Sequence, residues 1–108
     1  AILQKNPNDI NAYMKRAKAF KTLRDNKGAL ADYNQIVRLQ PNHTQHRFTR
    51  AYLNSQLGNI KAEIQEYDDL LKLNHQPHFI YYQRAEARTK LRDYQGAIAD
   101  YNQVIKLK

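Results

Sequence analysis

The stretch Tyr13-Met-Lys-Arg-Ala-Lys-Ala returns twice without a gap, as Arg47-Phe-Thr-Arg-Ala-Tyr-Leu and as Tyr81-Tyr-Gln-Arg-Ala-Glu-Ala. A second stretch, Leu30-Ala-Asp-Tyr-Asn-Gln-Ile-Val-Arg-Leu, returns at residues 64–73 and 98–107. Both series have a spacing of 34 residues. A period in this range is typical of a solenoid, in which each unit buries its apolar face against its neighbours. The period therefore predicts three structural units within one domain, residues 1–108.

Within each unit, apolar residues recur three and four positions apart in two runs that a turn signal separates. In the first unit this spacing predicts a helix over residues 10–23, a turn at 24–27 and a returning helix that Pro41 ends. The second unit turns at residues 57–59, where Gly58 can take the left-handed conformation, and the third at 92–94. We expect an all-α fold with repeats at 10–43, 44–77 and 78–108. Residues 1–9 match the ends of these repeats, which predicts the end of a preceding one.

These features resemble the tetratricopeptide repeat, a unit of 34 residues with two antiparallel helices. An early aromatic residue (Tyr13, Tyr81) and a proline near the end (Pro7, Pro41) carry the resemblance, which covers essentially the whole chain. One departure is Arg47, which replaces the early aromatic residue of the second unit. The resemblance implies a right-handed superhelical solenoid of three helix-turn-helix hairpins, whose first helices line a concave groove.

The resemblance also implies a noncatalytic module that binds a peptide or partner protein in this groove. The matching positions come from the first helix of each unit and include four aromatic side chains. They are Met14, Lys15, Lys18, Phe48, Thr49, Tyr52, Phe79, Tyr82, Gln83 and Glu86. Clustered exposed aromatics are typical of binding surfaces, although they can also pack between neighbouring units. With lysines at one end, we predict a ligand that has apolar anchors and acidic residues.

Some relatives use Lys, Asn and Arg residues of these helices to hold the C-terminal carboxylate of a chaperone tail. The matching positions in this sequence do not supply that set of donors. They hold Met14, Lys18, Thr49, Phe79 and Gln83. We therefore do not expect an acidic chaperone tail as the ligand.

Two further columns recur at the 34-residue spacing. Arg16, Arg50 and Arg84 form one, and Asp32, Glu66 and Asp100 form the other. A guanidinium group suits a partly buried ion pair, so we predict a repeated arginine–carboxylate pair; the alternative is an arginine stripe that binds phosphate.

A tyrosine column and an alanine column also recur. Tyr33, Tyr67 and Tyr101 lie on the apolar stripe of the second helices, so we predict that they pack in the core. Glu63 interrupts a column that holds Ala29 and Ala97 in the other units, and we expect looser packing there.

The net charge of +8 supports a rival interpretation, nucleic-acid binding through a basic surface. The charge is uneven, however: the first repeat carries +5, the second 0 and the third +3. No continuous basic stripe is evident, so the sequence favours a protein ligand. A second rival is self-association through the apolar ends of the solenoid.

Catalysis, metal binding and membrane insertion have little support in the sequence. The pairs His43/His46 and His75/His78 have a spacing that suits two metal ligands, but both lie at junctions between repeats. We predict no enzyme activity, no cofactor and no metal. No apolar stretch approaches the ~20 residues of a membrane span, and no leader opens the chain. From these absences and the lack of cysteine, we expect a cytoplasmic protein.

Overall fold

The computed structural model describes residues 6–107, and within them the chain forms six α-helices in three antiparallel hairpins. The first hairpin pairs α1 (Ile10–Thr22) with α2 (Asn26–Leu39). The second pairs α3 (Thr44–Gln56) with α4 (Ile60–Lys72), and the third pairs α5 (Pro77–Lys90) with α6 (Tyr94–Leu107). This arrangement confirms the predicted all-α solenoid. The predicted end of a preceding repeat falls mostly on residues 1–5, outside the described residues.

The turn of the second hairpin lies at residues 57–59 as predicted, whereas the first and third turns differ from the prediction. Asp25 accepts a hydrogen bond from the amide of Gly28, so α2 begins at Asn26, and the prediction of a turn through residue 27 is wrong. Tyr94 likewise belongs to α6 rather than to the third turn. A capping aspartate satisfies one of the free amides at a helix start, so the helix can begin directly after it.

Close backbone contacts between the described helices join only helices that follow one another in the chain. The radius of gyration is 15.3 Å, and the extents are 49 × 25 × 18 Å. A spherical domain of this length has a radius of gyration of about 13 Å. The molecule is therefore elongated, as expected for a stack of hairpins.

Small residues bring the first helices close to their neighbours. Ala17, Ala51 and Ala85, which share one column of the repeat, are all fully buried. A central apolar cluster joins the second and third hairpins through Ala51, Tyr67, Leu70, Ile80 and Ala87. The second and third hairpins thus share one apolar core.

The tyrosine column divides between core and surface. Tyr67 is buried within the central cluster, which confirms the prediction of core packing for this residue. Tyr33 and Tyr101 are only half-buried. The middle tyrosine is covered because a hairpin lies on each side of it.

Candidate functional site

The ten predicted groove residues lie on α1, α3 and α5, the first helices of the three hairpins. Met14, Tyr52, Phe79 and Tyr82 are the exposed large apolar side chains among them, with Tyr52 50% and Tyr82 43% accessible. Phe48 differs, because it is half-buried and packs against the central cluster. The groove face therefore has three exposed aromatic side chains, and a fourth is partly used by the core.

Two aromatic contacts connect these side chains to their surroundings. The rings of Phe48 and Phe79 lie 5.4 Å apart between centroids and link α3 with α5. Tyr82 makes an edge contact with Tyr101 of α6 at 5.9 Å. The negative charge of Glu86 nearby raises the pKa of Tyr82. Part of the aromatic cluster thus packs between neighbouring helices, as the alternative interpretation allows.

A cavity of about 510 Å³ lies at the first hairpin. Met14, Lys18 and Lys21 of α1 and Tyr33 of α2 contribute to its wall. Two ammonium groups beside an apolar wall give this cavity a positive electrostatic potential.

A second cavity, of about 200 Å³, lies between α3 and α5, with α4 as its floor. It unites four of the predicted groove residues with six that the sequence analysis did not place there. The predicted ones are Phe48, Tyr52, Gln83 and Glu86, and the others are Ser55, Gln56, Glu63, Tyr67, Ala87 and Lys90. Lys15, Thr49, Phe79 and Tyr82 line neither cavity.

The two cavities occupy equivalent places in successive repeats. Met14, Lys18 and Lys21 precede Phe48, Tyr52 and Ser55 by one period of 34 residues. Tyr33 precedes Tyr67 by the same spacing. The two cavities therefore lie on the same face of the solenoid, and the lining changes from basic in the first repeat to partly acidic between the second and third.

The arginine column pairs with the acidic column in every repeat, which confirms that prediction. Arg16 Nη2 lies 2.6 Å from Asp32 Oδ1, and Arg84 Nη2 lies 2.8 Å from Asp100 Oδ1. Arg50 binds Glu66 in the same way. All three carboxylates are buried. All three arginines therefore form ion pairs with carboxylates, which argues against the alternative that they form a stripe for binding phosphate.

Each of the later arginines also contacts the preceding hairpin. Arg50 Nη1 donates to the Asn34 side chain at 3.3 Å, and Arg84 Nη1 donates to Asp68 at 2.6 Å. Asn34 and Asp68 are one period apart. One guanidinium group thus connects both helices of its own hairpin to the last helix of the hairpin before it.

Two arginines of this network were not predicted from the sequence. Arg47 Nη1 lies 2.7 Å from Glu66 Oε2, and Arg88 Nη1 lies 2.9 Å from Asp100 Oδ2. Arg47 Nε also donates to the carbonyl of Pro41, as the Tyr13 hydroxyl does to the carbonyl of Pro7. Arg47 therefore keeps the hydrogen bond of the aromatic residue that it replaces.

The histidine pair His43/His46 lies at the start of α3, where His43 caps the helix. Its rings stack with centroids 3.7 Å apart, and His43 Nδ1 accepts the amide of His46 at 3.4 Å. His46 Nε2 in turn lies 3.0 Å from Gln40 Oε1, so each ring already has a hydrogen-bond partner within the chain. Within residues 6–107, no three acidic or imidazole side chains gather as metal ligands. No helix in this part of the chain has the length and apolar character of a membrane span.

A search by sequence against curated proteins found no match. A search of solved structures found the crystal structure of MamA, with a TM-score of 0.79 and 19% sequence identity. The alignment covers 99% of this chain and 63% of the MamA chain, so this chain spans less than two thirds of that protein. At this identity the likeness concerns the fold.

The family model described as "Tetratricopeptide repeat" matches residues 10–43 and 80–108, which together make up more than half of the chain. The unmatched middle repeat is the one in which Arg47 and Glu63 depart from their columns. The matched segments and the hairpin architecture lead to one conclusion: the chain belongs to the tetratricopeptide repeat family.

Proposed function

We propose that this chain is a noncatalytic interaction module that binds a segment of a partner protein along the face formed by α1, α3 and α5. The family generally mediates protein–protein interaction. The observation that supports this location is the pair of equivalent cavities on the same face, together with exposed Tyr52 on α3 and exposed Tyr82 on α5. Exposed tyrosines give a large contact area with little loss of side-chain entropy.

The charge of the first cavity suggests what part of the partner lies there. Lys18 and Lys21 favour an acidic side chain of the partner, and Met14 offers an apolar contact beside them. We therefore propose a partner segment with apolar anchors, whose acidic residues lie toward α1.

The ion pairs within the solenoid favour a protein ligand over a nucleic acid. Arg47, Arg50, Arg84 and Arg88 all bind buried carboxylates. A phosphate backbone would need cations that are free of such partners. Binding to a single-stranded oligonucleotide with a steep loss of affinity in salt would favour the nucleic-acid interpretation instead.

A selection from a random peptide display library tests the proposal. Peptides selected on the wild-type chain should bind the Tyr52→Ala, Tyr82→Ala double variant at least about tenfold more weakly, since each exposed aromatic anchor contributes on the order of 1 kcal/mol. The variant Tyr94→Ala, which removes an exposed tyrosine of α6, is the matched control. Equal affinity for the double variant and the wild type would contradict the proposed location.

Phe48 is a poor choice for this test. Its side chain packs against the central cluster and against Phe79, so Phe48→Ala would lower stability as well as binding. The exposed pair Tyr52 and Tyr82 separates the two effects.

A further inference from the structure

The cavity between α3 and α5 has a buried carboxylate in its floor. Glu63 of α4 is 4% exposed and lines this cavity. Its Oε2 accepts a hydrogen bond of 2.7 Å from the hydroxyl of Tyr67. Its Oε1 is buried and has no hydrogen-bond partner among residues 6–107. Glu63 thus lines the cavity, and one oxygen of its carboxylate lacks a donor among the described residues.

This carboxylate is not required by the fold. The equivalent positions of the first and third repeats are Ala29 and Ala97, and both are buried. A buried carboxylate oxygen without a donor destabilises a protein. Residues that lower stability in this way are typical of functional sites. The exception to the alanine column therefore points to a ligand.

The remaining lining defines the chemistry of that ligand. Phe48 and Tyr52 provide aromatic side chains, and Glu86 provides a second carboxylate. Lys90 is the cationic side chain of the lining, so the charged groups leave a net negative charge. Burial and the hydrogen bond to Glu63 raise the pKa of Tyr67, so its hydroxyl stays protonated and keeps donating to Oε2.

A planar cation can interact with both the carboxylates and the aromatic rings of this lining. A guanidinium group donates hydrogen bonds to a carboxylate and stacks on aromatic rings, and an ammonium group does so less well. A cavity of about 200 Å³ is also much larger than the ~30 Å³ that one water occupies. On the basis of the proposed function, we infer that this cavity binds an arginine side chain of the partner segment.

The inference gives the bound segment a direction. Its acidic residues lie at the cavity of Lys18 and Lys21, and its arginine lies one repeat further along, at Glu63. A uniformly acidic ligand would place a negative charge against Glu63 and Glu86 and would bind less well.

The test uses N-acetyl-arginine N-methylamide and its citrulline counterpart, which has nearly the same shape but no charge. In an NMR titration, the arginine compound should shift the amide signals of Tyr52, Glu63 and Tyr67, and the citrulline compound should bind at least about tenfold more weakly. The variant Glu63→Gln should reduce arginine binding by a similar factor. Lys90→Gln should increase it, because it removes the opposing charge.

The variant Glu63→Ala controls for folding, since it restores the residue of the other repeats. It should remain folded, as circular dichroism will show, and it should not bind the arginine compound. Equal binding of arginine and citrulline, or arginine binding that Glu63→Gln leaves unchanged, would overturn the inference. A loss of folding in both Glu63 variants would also overturn it, because the carboxylate would then be structural.

The amino-acid derivatives keep this test separate from the test of the groove. If no displayed peptide depends on Tyr52 and Tyr82 while the arginine compound still binds at Glu63, the proposed function fails and the cation site stands. A second outcome is that peptides bind through the two tyrosines, but Glu63→Gln changes neither peptide binding nor binding of the arginine compound. In that case the arginine site is wrong and the proposed function stands.

Discussion

Single residues connect neighbouring hairpins through charge. Arg84 lies between Asp100 of its own hairpin and Asp68 of the preceding one, and Arg50 makes the equivalent contacts. Such pairs offset the cost of burying charge only when the geometry satisfies both partners. Arg50 and Arg84 thus each join their own hairpin to the preceding one.

We predict that Arg84→Met lowers the free energy of unfolding by about 2 kcal/mol. The substitution removes one of the two arginines that pair with the buried Asp100 and leaves Arg88. Urea denaturation followed by circular dichroism measures this difference. Lys61→Met, which removes an exposed cation on α4, should change stability little and is the control. A loss no larger than that of the control would contradict a structural role for the arginine column.

His46 gives the fold a dependence on pH. It is buried, and its ring packs on His43 and against Tyr33. Burial, and then the proximity of His43, lower its pKa from the ordinary value of 6.5. Because the unfolded chain binds this proton more readily, the contribution to stability is present above pH 6.5 and is lost as pH falls through the lowered value.

We therefore expect the wild type to lose more stability between pH 7.5 and pH 5 than His46→Gln does. Urea midpoints at both pH values provide the measurement. His78→Gln, which removes an exposed imidazole, is the matched control. If His46→Gln has the same pH dependence as the wild type, burial of His46 is not the cause.

Among the elements, the helix ends follow one design in all three hairpins. Two residues after the end of each first helix, the backbone takes the left-handed conformation, with φ of 60° at Arg24, 78° at Gly58 and 62° at Arg92. The next residue donates its amide back into the helix, as Asp93 does to the carbonyl of Arg88 at 2.9 Å. This pattern satisfies the last carbonyl groups of the helix. The 34-residue period therefore includes backbone conformation as well as side chains.

Glycine adopts the left-handed conformation without steric cost, whereas arginine does not. We predict that Arg92→Gly raises the free energy of unfolding by about 1 kcal/mol. Thermal or urea denaturation should show the gain, and Arg92→Ala, which keeps a Cβ atom, should not show it. Equal stability of the glycine and alanine variants would mean that the turn is not strained.

At the scale of the whole molecule, the outer face of α6 differs from those of α2 and α4. Ile98 and Ile105 are 59% and 72% exposed, while their counterparts one repeat earlier, Ile64 and Leu71, pack against the central cluster. In the middle of the solenoid the next hairpin covers these positions. At α6 they remain accessible within the described residues.

We expect the chain to associate at high concentration through this face. Sedimentation equilibrium should show that Ile98→Ser together with Ile105→Ser weakens the association by at least about tenfold, because burial of each side chain stabilises by roughly 1.5–3 kcal/mol. The groove variant Tyr52→Ala should leave it unchanged. A wild-type chain that stays monomeric at every concentration would exclude this contact.

The sequence by itself determined the repeating part of this protein. Residues 34 apart occupy equivalent environments in a solenoid, so the columns were enough to predict the helices, the buried alanines and the pairing of Arg16, Arg50 and Arg84 with their carboxylates. The bounds of the first and third turns were less accessible, since one capping residue decides where a helix starts.

The tertiary structure decided which side chains meet. The cavity between α3 and α5 depends on two helices that are not adjacent in the chain, and no periodic pattern shows that Glu63, Tyr52 and Lys90 share it. The sequence marked Glu63 as an exception to an alanine column, but only the fold shows that one of its oxygens is buried without a donor. The physical reason is that periodicity describes what the repeats have in common, whereas a binding site depends on how they differ and on what packing brings within a few ångströms.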